Sequence, residues 1–306
     1  LEEHVNPYSH VRGFNYQPSY DFSGHGIWRH FQPDTIDREL GRGKQHFPGM
    51  NTVRLWLSFD AFMVEPARVA DHFATALAIA DQHALKVIPT LFNNWHSVPD
   101  FGGISLEAIR HWSDEGARTI PANPFLTYVE SVVGAHAADD RILIWDLCNE
   151  PFNSGYSDEI LRWLESQYVT CKELGAQAPI SVGVPPDNQQ LQAVEPISDV
   201  VTIHPYGDQA FVEASVAVAR GVGKPILVTE CCWGAVDDAE RAAIVTRELT
   251  ALSAAGLGFV AHVLNHSLVA DCHREQYGPI SGAGYMAFIE ADGSLRRHHE
   301  VFNTFV

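Results

Sequence analysis

Eight short apolar runs, each followed by a stretch of another character, most of them with helical periodicity, limit what this chain can fold into more than any other feature. The runs are "VRGFNY" from Val11, "NTVRLWLS" from Asn51, "LKVIPTLF" from Leu85, "RILIWDLC" from Arg141, "PISVGV" from Pro179, "DVVTIHPY" from Asp199, "KPILVTE" from Lys224 and "GLGFVAHVL" from Gly256. Helical patterns are expected over 34–46, 66–83, 124–137, 158–174, 209–220 and 237–255, with a short helical turn after the fifth run and a closing helix in "LRRHHEVFNTF". Most of the runs are apolar throughout rather than alternating. Strands of that kind are buried on both faces, as in a parallel sheet covered by helices. Eight such units predict a closed α/β (β/α)8 barrel, and the length of 306 residues suits one domain over 1–306. The structural rival is an open doubly wound sheet, which would carry a glycine-rich phosphate loop after its first strand. "GFNYQPS" stands there instead, and neither GxGxxG nor GxxxxGK[ST] occurs. "GRGK" at 41–44 reads as a helix cap.

Composition narrows the function classes. A net charge of −18 disfavours nucleic acid and anionic membranes as partners. No apolar run reaches the ~18 residues of a membrane span. The five cysteines are odd in number and form no CxxC pair, which argues against a structural zinc site or a disulfide framework and leans toward a reducing compartment. The chain begins at Leu1 rather than Met, which also leaves room for a removed leader and a secreted protein.

A barrel of this kind carries its function at the C-terminal ends of its strands. There the runs end on polar groups: Arg54 within the second, Asn93, Asn94, Trp95 and His96 after the third, Asn149 and Glu150 after the fourth, His204 and Tyr206 after the sixth, Glu230 and Trp233 after the seventh, and His262, Asn265 and His266 after the eighth. Packing alone does not account for so many acids, amides and imidazoles at one mouth, because charged side chains are seldom buried unpaired. Two glutamates across one mouth suit glycoside hydrolysis, in which one carboxyl donates a proton and the other is ionised. Like charges held close push their pKa values apart and so supply the two roles. No cofactor is implied, and with no HExxH or His-x-His the histidines of "DCHRE" and "RRHHE" do not suggest a metal.

"WDLCNEP", "IHPY" and "ILVTE", in that order, resemble glycoside hydrolase clan A, and family 5 most of all. The resemblance implies that Glu150 is the acid/base, Glu230 the nucleophile of a retaining mechanism, and Arg54, Asn149, His204 and Tyr206 their supports. Asn149 would donate to the hydroxyl beside the anomeric carbon, and the apolar strand should hold Glu150 protonated at neutral pH. "LFNNWHS" is similar to the Asn-Asn-Trp of family 5 β-mannanases, which tilts the substrate toward a β-mannoside, with a β-glucoside as the alternative. Trp95 and Trp233 are candidates for stacking on sugar faces, or for ordinary rim packing. The family's usual tryptophan on strand eight is missing; His262, Asn265 and His266 stand there instead. The excursion from Asn93 to about Arg118 is expected to wall the site into a pocket. The rival functions are a metal-dependent hydrolase on the same barrel and a carbohydrate-binding barrel without catalysis.

Overall fold

The computed structural model describes residues 6–94, 104, 106–113, 123–153 and 155–306, the side chains of 111–113 apart. Its eight parallel strands, β1 (Arg12–Tyr16), β2 (Thr52–Trp56), β3 (Lys86–Asn93), β4 (Trp145–Asn149), β5 (Ile180–Val184), β6 (Val201–Ile203), β7 (Ile226–Cys231) and β8 (Phe259–Ala261), pair in sequence order and close through β1 with β8. The helices are α1 (Gly24–Arg29), α2 (Pro33–His46), α3 (Phe59–Val64), α4 (Pro66–Gln82), α5 (Leu106–Ser113), α6 (Pro124–Val132), α7 (Asp158–Glu173), α8 (Asn188–Val194), α9 (Gln209–Arg220) and α10 (Asp238–Ala254). The expected single (β/α)8 barrel is therefore the observed architecture.

Local chemistry explains where the helices begin. Proline fixes a helical φ at the start of α2, α4 and α6, where no amide hydrogen is needed. Ser157, Asp187, Asp208 and Asp237 cap α7, α8, α9 and α10 by accepting from the first free backbone N–H groups. Each helix then lays one stripe on the barrel; in α4, Val69, Phe73, Ala76, Leu77 and Ala80 are buried at helical spacing.

Inside the barrel the side chains form two layers of opposite character. Toward the N-terminal ends, Val11, Ile88, Ile144, Val200, Leu227 and Val260 make an apolar plug. Toward the C-terminal ends, Asn15, Arg54, Thr90, Asp146 and Thr229 are buried and polar. The plug keeps water out from below, so charges in the upper layer must find partners in one another.

Several expectations need correction. Gly41 and Gly43 of "GRGK" lie inside α2 and cap nothing. A side chain on Gly43 would meet Leu264 Cδ2 at 3.1 Å, so this glycine lets α2 pack closely on the segment after β8. The closing helix is a run of 3₁₀ turns over His299–Phe305, entered through His298 at φ 68°. α1 and α3, capped by Ser23 and Ser58, are one and a half turns each, too short for a periodic signal. α5 lies within the excursion after the third run, for which no helix was expected. β4 begins four residues later than "RILIWDLC" suggests, although Ile142 still bridges to Val87.

Candidate active site

Glu150 and Glu230 reach one cleft from opposite sides of the barrel. Each stands at an irregularity in strand pairing: β4 shifts register against β5 between Asp146 and Asn149, just before Glu150, and β7 shifts against β8 between Val228 and Cys231, around Glu230. Such bulges re-aim the side chains beside them. Glu150 itself has φ 43°, in the left-handed region that a residue with a Cβ seldom occupies. Its amide donates to Gly183 O at 2.8 Å, which holds the strained turn in place. A carboxylate oxygen of Glu150, one of Glu230 and a ring nitrogen of His204 all lie within 4.8 Å of one another. Glu150 is 8% exposed and Glu230 5%, enough to face the cleft and too little for water to screen them.

The two acids have different neighbours. Glu230 Oε1 accepts from Arg54 Nη1 at 2.5 Å, and its Oε2 accepts from Tyr206 OH at 2.8 Å. Glu150 Oε1 lies 2.8 Å from His204 Nδ1, and His204 Nε2 lies 3.0 Å from Thr229 Oγ1. The Glu150–His204 contact requires one proton between nitrogen and oxygen. Burial alone would raise the Glu230 pKa, but the charges of His204 and Arg54 more than reverse this and lower it to about 2. Glu230 is therefore ionised at neutral pH. Tyr206 moves the other way, well above a free phenol, through burial and the adjacent Glu230 charge, and so remains a donor.

Arg54 organises the floor of the site. It is fully buried and donates to Asp146 Oδ2 from Nε at 2.9 Å and from Nη2 at 2.6 Å, to Asn15 Oδ1 at 2.9 Å, to Asn149 Oδ1 at 2.8 Å, and to Glu230, while its guanidinium lies over the Trp56 ring at 4.7 Å. Burial opposes its charge, but Asp146 and Glu230 outweigh that and raise its pKa. Asp146 also accepts from Thr90 Oγ1 at 3.0 Å and Gly183 N at 3.2 Å. Gly183 supplies space: a Cβ there would stand 2.9 Å from His204 Nε2. Asn149 donates to Asn93 Oδ1 at 3.1 Å, which leaves its second amide hydrogen for the cleft.

The cleft has a volume of about 230 Å³ and is lined by Trp56, Asn149, Glu150, Asn153, Tyr206, Glu230, Trp233, His262, Asp271, Ala283 and Met286. Of the residues expected from the sequence, Glu150, Glu230, Arg54, Asn149, His204, Tyr206 and His262 thus form one arrangement here. Trp233 joins them at the rim, 40% exposed, with its ring edge-on to Tyr206 at 5.0 Å. Asn94 points elsewhere and donates to Pro151 O at 2.6 Å, fixing the turn after Glu150. Asn265 does not line this cleft; it borders a smaller polar cavity with Ser19, Arg38, Glu39 and Glu290. Trp95 and most of the excursion expected to wall the pocket lie outside the described residues. All five cysteines are buried, and among the described residues Glu150, His204 and Glu230 are the one group spaced to hold a metal.

Trp56, Asp146, Gly183 and Asp271 were not singled out from the sequence. Asp146 had a signal, as a lone acid inside an apolar run, and so did Trp56, two residues from Arg54 on one strand face. Gly183 and Asp271 had none, because their roles depend on neighbours far along the chain.

No family model matches the chain. Over 112 residues, 34% of its length, it is 32% identical to mannan endo-1,4-beta-mannosidase A of Hypocrea jecorina, and it spans about a quarter (24%) of that protein. Among solved structures it superposes on a GH5_18 protein from Streptomyces cattleya in complex with GlcNAc with a TM-score of 0.74, at 16% identity, over 96% of this chain and 78% of the other. The exo-beta-1,4-mannosidase Op5Man5 from Opitutaceae bacterium strain TAV5 gives 0.74 at 18% identity, over 96% and 58%. An endo-beta-1,4-mannanase from Thermotoga petrophila gives 0.67 at 15%, over 96% and 76%. The chain thus shares the fold of these structures along nearly its whole length, and its sequence likeness to the mannosidase covers about a third of it.

Proposed function

We propose that this protein is a retaining β-glycosidase of the family 5 type that acts on a β-mannoside or β-glucoside. The observation that carries the reading is the asymmetry of the acid pair: two carboxylates with one oxygen of each within 4.8 Å of the other, one held by a guanidinium and a phenol, the other sharing a proton with an imidazole. Retaining glycosidases hold their carboxyls about 5–5.5 Å apart, whereas inverting enzymes need about 6.5–9.5 Å to admit a water. The short spacing supports retention.

In the first step Glu230 attacks the anomeric carbon and Glu150 gives its proton to the leaving oxygen. Arg54 and Tyr206 keep Glu230 ionised and oriented, and His204 holds Glu150. Asn149, fixed by Arg54 and Asn93, offers its remaining N–H to the neighbouring hydroxyl. In the second step Glu150 takes a proton from water, and that water displaces Glu230 from the sugar. The partial likeness to a mannan endo-1,4-beta-mannosidase favours a β-mannoside. An activated fluoroglycoside tests the reading. It should label the protein once, on the peptide that contains Glu230; labelling elsewhere, or none by any sugar of a β-linked panel, contradicts it.

The spacing of Glu150, His204 and Glu230 also admits a metal-dependent hydrolase. The residues fit that poorly. Both oxygens of Glu230 and both nitrogens of His204 already have partners, and a permanent cation, Arg54, lies 2.5 Å from Glu230 Oε1. A chelator should leave the rate unchanged.

A further inference from the structure

Asp271 is a buried acid that the chemistry above does not use. It is 2% exposed, lies on the segment after β8, and lines the cleft together with Ala283 and Met286. Glu150 and Asn153, from the turn after β4, line the same cleft. Its backbone sits at φ 61°, pinned where Met286 N donates to Asp271 O at 2.9 Å. Side-chain Oδ1 accepts one hydrogen bond, from Ser281 N at 3.1 Å. A carboxylate has about four acceptor positions, so its second oxygen is left for whatever enters the cleft. Among the described residues it forms no ion pair. Asp271, Glu230 and His262 all line the cleft, and burial lowers the His262 pKa to about 4, so this histidine is neutral at pH 7 and brings no countercharge. A buried carboxylate without a cation is costly unless other donors reach it.

We propose that Asp271 accepts a hydrogen bond from a hydroxyl of the sugar held against Glu230 and makes the site selective for a terminal unit at the non-reducing end. The inference rests on the glycosidase reading and deepens it. A sugar hydroxyl is a neutral donor of the right reach, and a carboxylate is its strongest common acceptor. In a polymer the hydroxyl that carries the next sugar has no proton to give. A wall formed by Asp271, Ala283 and Met286 would also meet that next sugar. The missing aromatic platform on β8 is thereby replaced by a polar stop. The closing wall of the cleft then comes from the segment after β8.

The test uses the whole chain, with Asp271→Ala and Asp271→Asn, on nitrophenyl β-mannoside and β-glucoside and their monodeoxy analogues. Asp271→Ala should lower kcat/KM on the better parent substrate roughly 10- to 100-fold, as expected for a lost hydrogen bond to a charged group. The loss should vanish on the one analogue that lacks the recognised hydroxyl, and Asp271→Asn, which keeps an acceptor, should recover part of it. An equal loss on every substrate would mean that Asp271 only anchors Ser281 and Met286, and would overturn the proposal, as would no loss at all. Binding of free mannose and glucose, followed by calorimetry in wild type and Asp271→Ala, separates the two readings. Binding that depends on Asp271 without turnover of any glycoside removes the glycosidase reading and leaves this one standing; turnover with binding indifferent to Asp271 does the reverse.

Discussion

Replacing Asp146 by Asn removes one negative charge from the floor of the site while keeping its shape. Asp146 accepts four hydrogen bonds: three at Oδ2, from Arg54 Nε, Arg54 Nη2 and Thr90 Oγ1, and one at Oδ1, from Gly183 N. An amide can keep its oxygen toward the three donors, but its NH2 then faces the Gly183 N–H, so one bond is lost and two donors meet. Arg54 is left with Glu230 as its remaining carboxylate. Truncating one partner of a buried pair costs about 3–5 kcal/mol, and an isostere that keeps most of the contacts should cost less, about 2–3 kcal/mol. In domains of ~150–250 residues each kcal/mol is worth roughly 2–4 °C in Tm, so a fall of about 5 °C is expected. Urea unfolding monitored by tryptophan fluorescence measures the free energy, and Asp146→Ala should lose more than Asp146→Asn. Because Arg54 aims Glu230, kcat/KM should also fall, roughly 10- to 100-fold. A stability loss below about 0.5 kcal/mol in Asp146→Asn, the level of an ordinary surface change, would refute the view that this acid holds the guanidinium in place.

The remaining predictions concern the acids, the packing around His204 and the pH response. Glu230→Ala should abolish turnover on every glycoside, whereas Glu150→Ala should lose about 10²–10⁴-fold on poor leaving groups and far less on activated aryl glycosides; steady-state rates across a leaving-group series decide this. Gly183→Ala should push a methyl against His204 Nε2, costing about 1–3 kcal/mol and lowering kcat, which unfolding curves and initial rates measure. The His262 pKa falls on burial from 6.5 to about 4, so between those values the unfolded chain binds the extra proton and stability declines as pH drops. Glu230, lowered from 4.5 to about 2, contributes stability that is complete above its unfolded value and fades as pH falls toward about 2. Melting curves from neutral pH downward should fall first through the histidine range, and His262→Gln should flatten that part of the curve.

The barrel was legible in the sequence because its signal is repeated eight times. An apolar run such as "KPILVTE" and a capped amphipathic stretch such as α9 each carry their own local reason to form. Elements short of that length were not legible: α1 and α3 are six residues each and depend on Ser23 and Ser58 at their starts. The acids were legible for a related reason, since a charged residue at the end of an apolar strand is out of place unless something holds it. What holds it was only half visible. Arg54 was expected to serve Glu230, but its second carboxylate, Asp146, lies 92 positions away and is brought to it only by closure of the barrel. Asn265 shows the opposite failure: it stands close after β8 in the sequence, yet the chain turns there, and its amide donates to His266 O beside a separate cavity.

The stereochemistry of the first product formed tests the central claim most directly. Proton NMR of a reaction on an activated β-mannoside or β-glucoside, recorded before mutarotation sets in, should show the β anomer appearing first, as two successive displacements at one carbon require. If the α anomer appears first, Glu150 and Glu230 do not act as acid and nucleophile on one sugar.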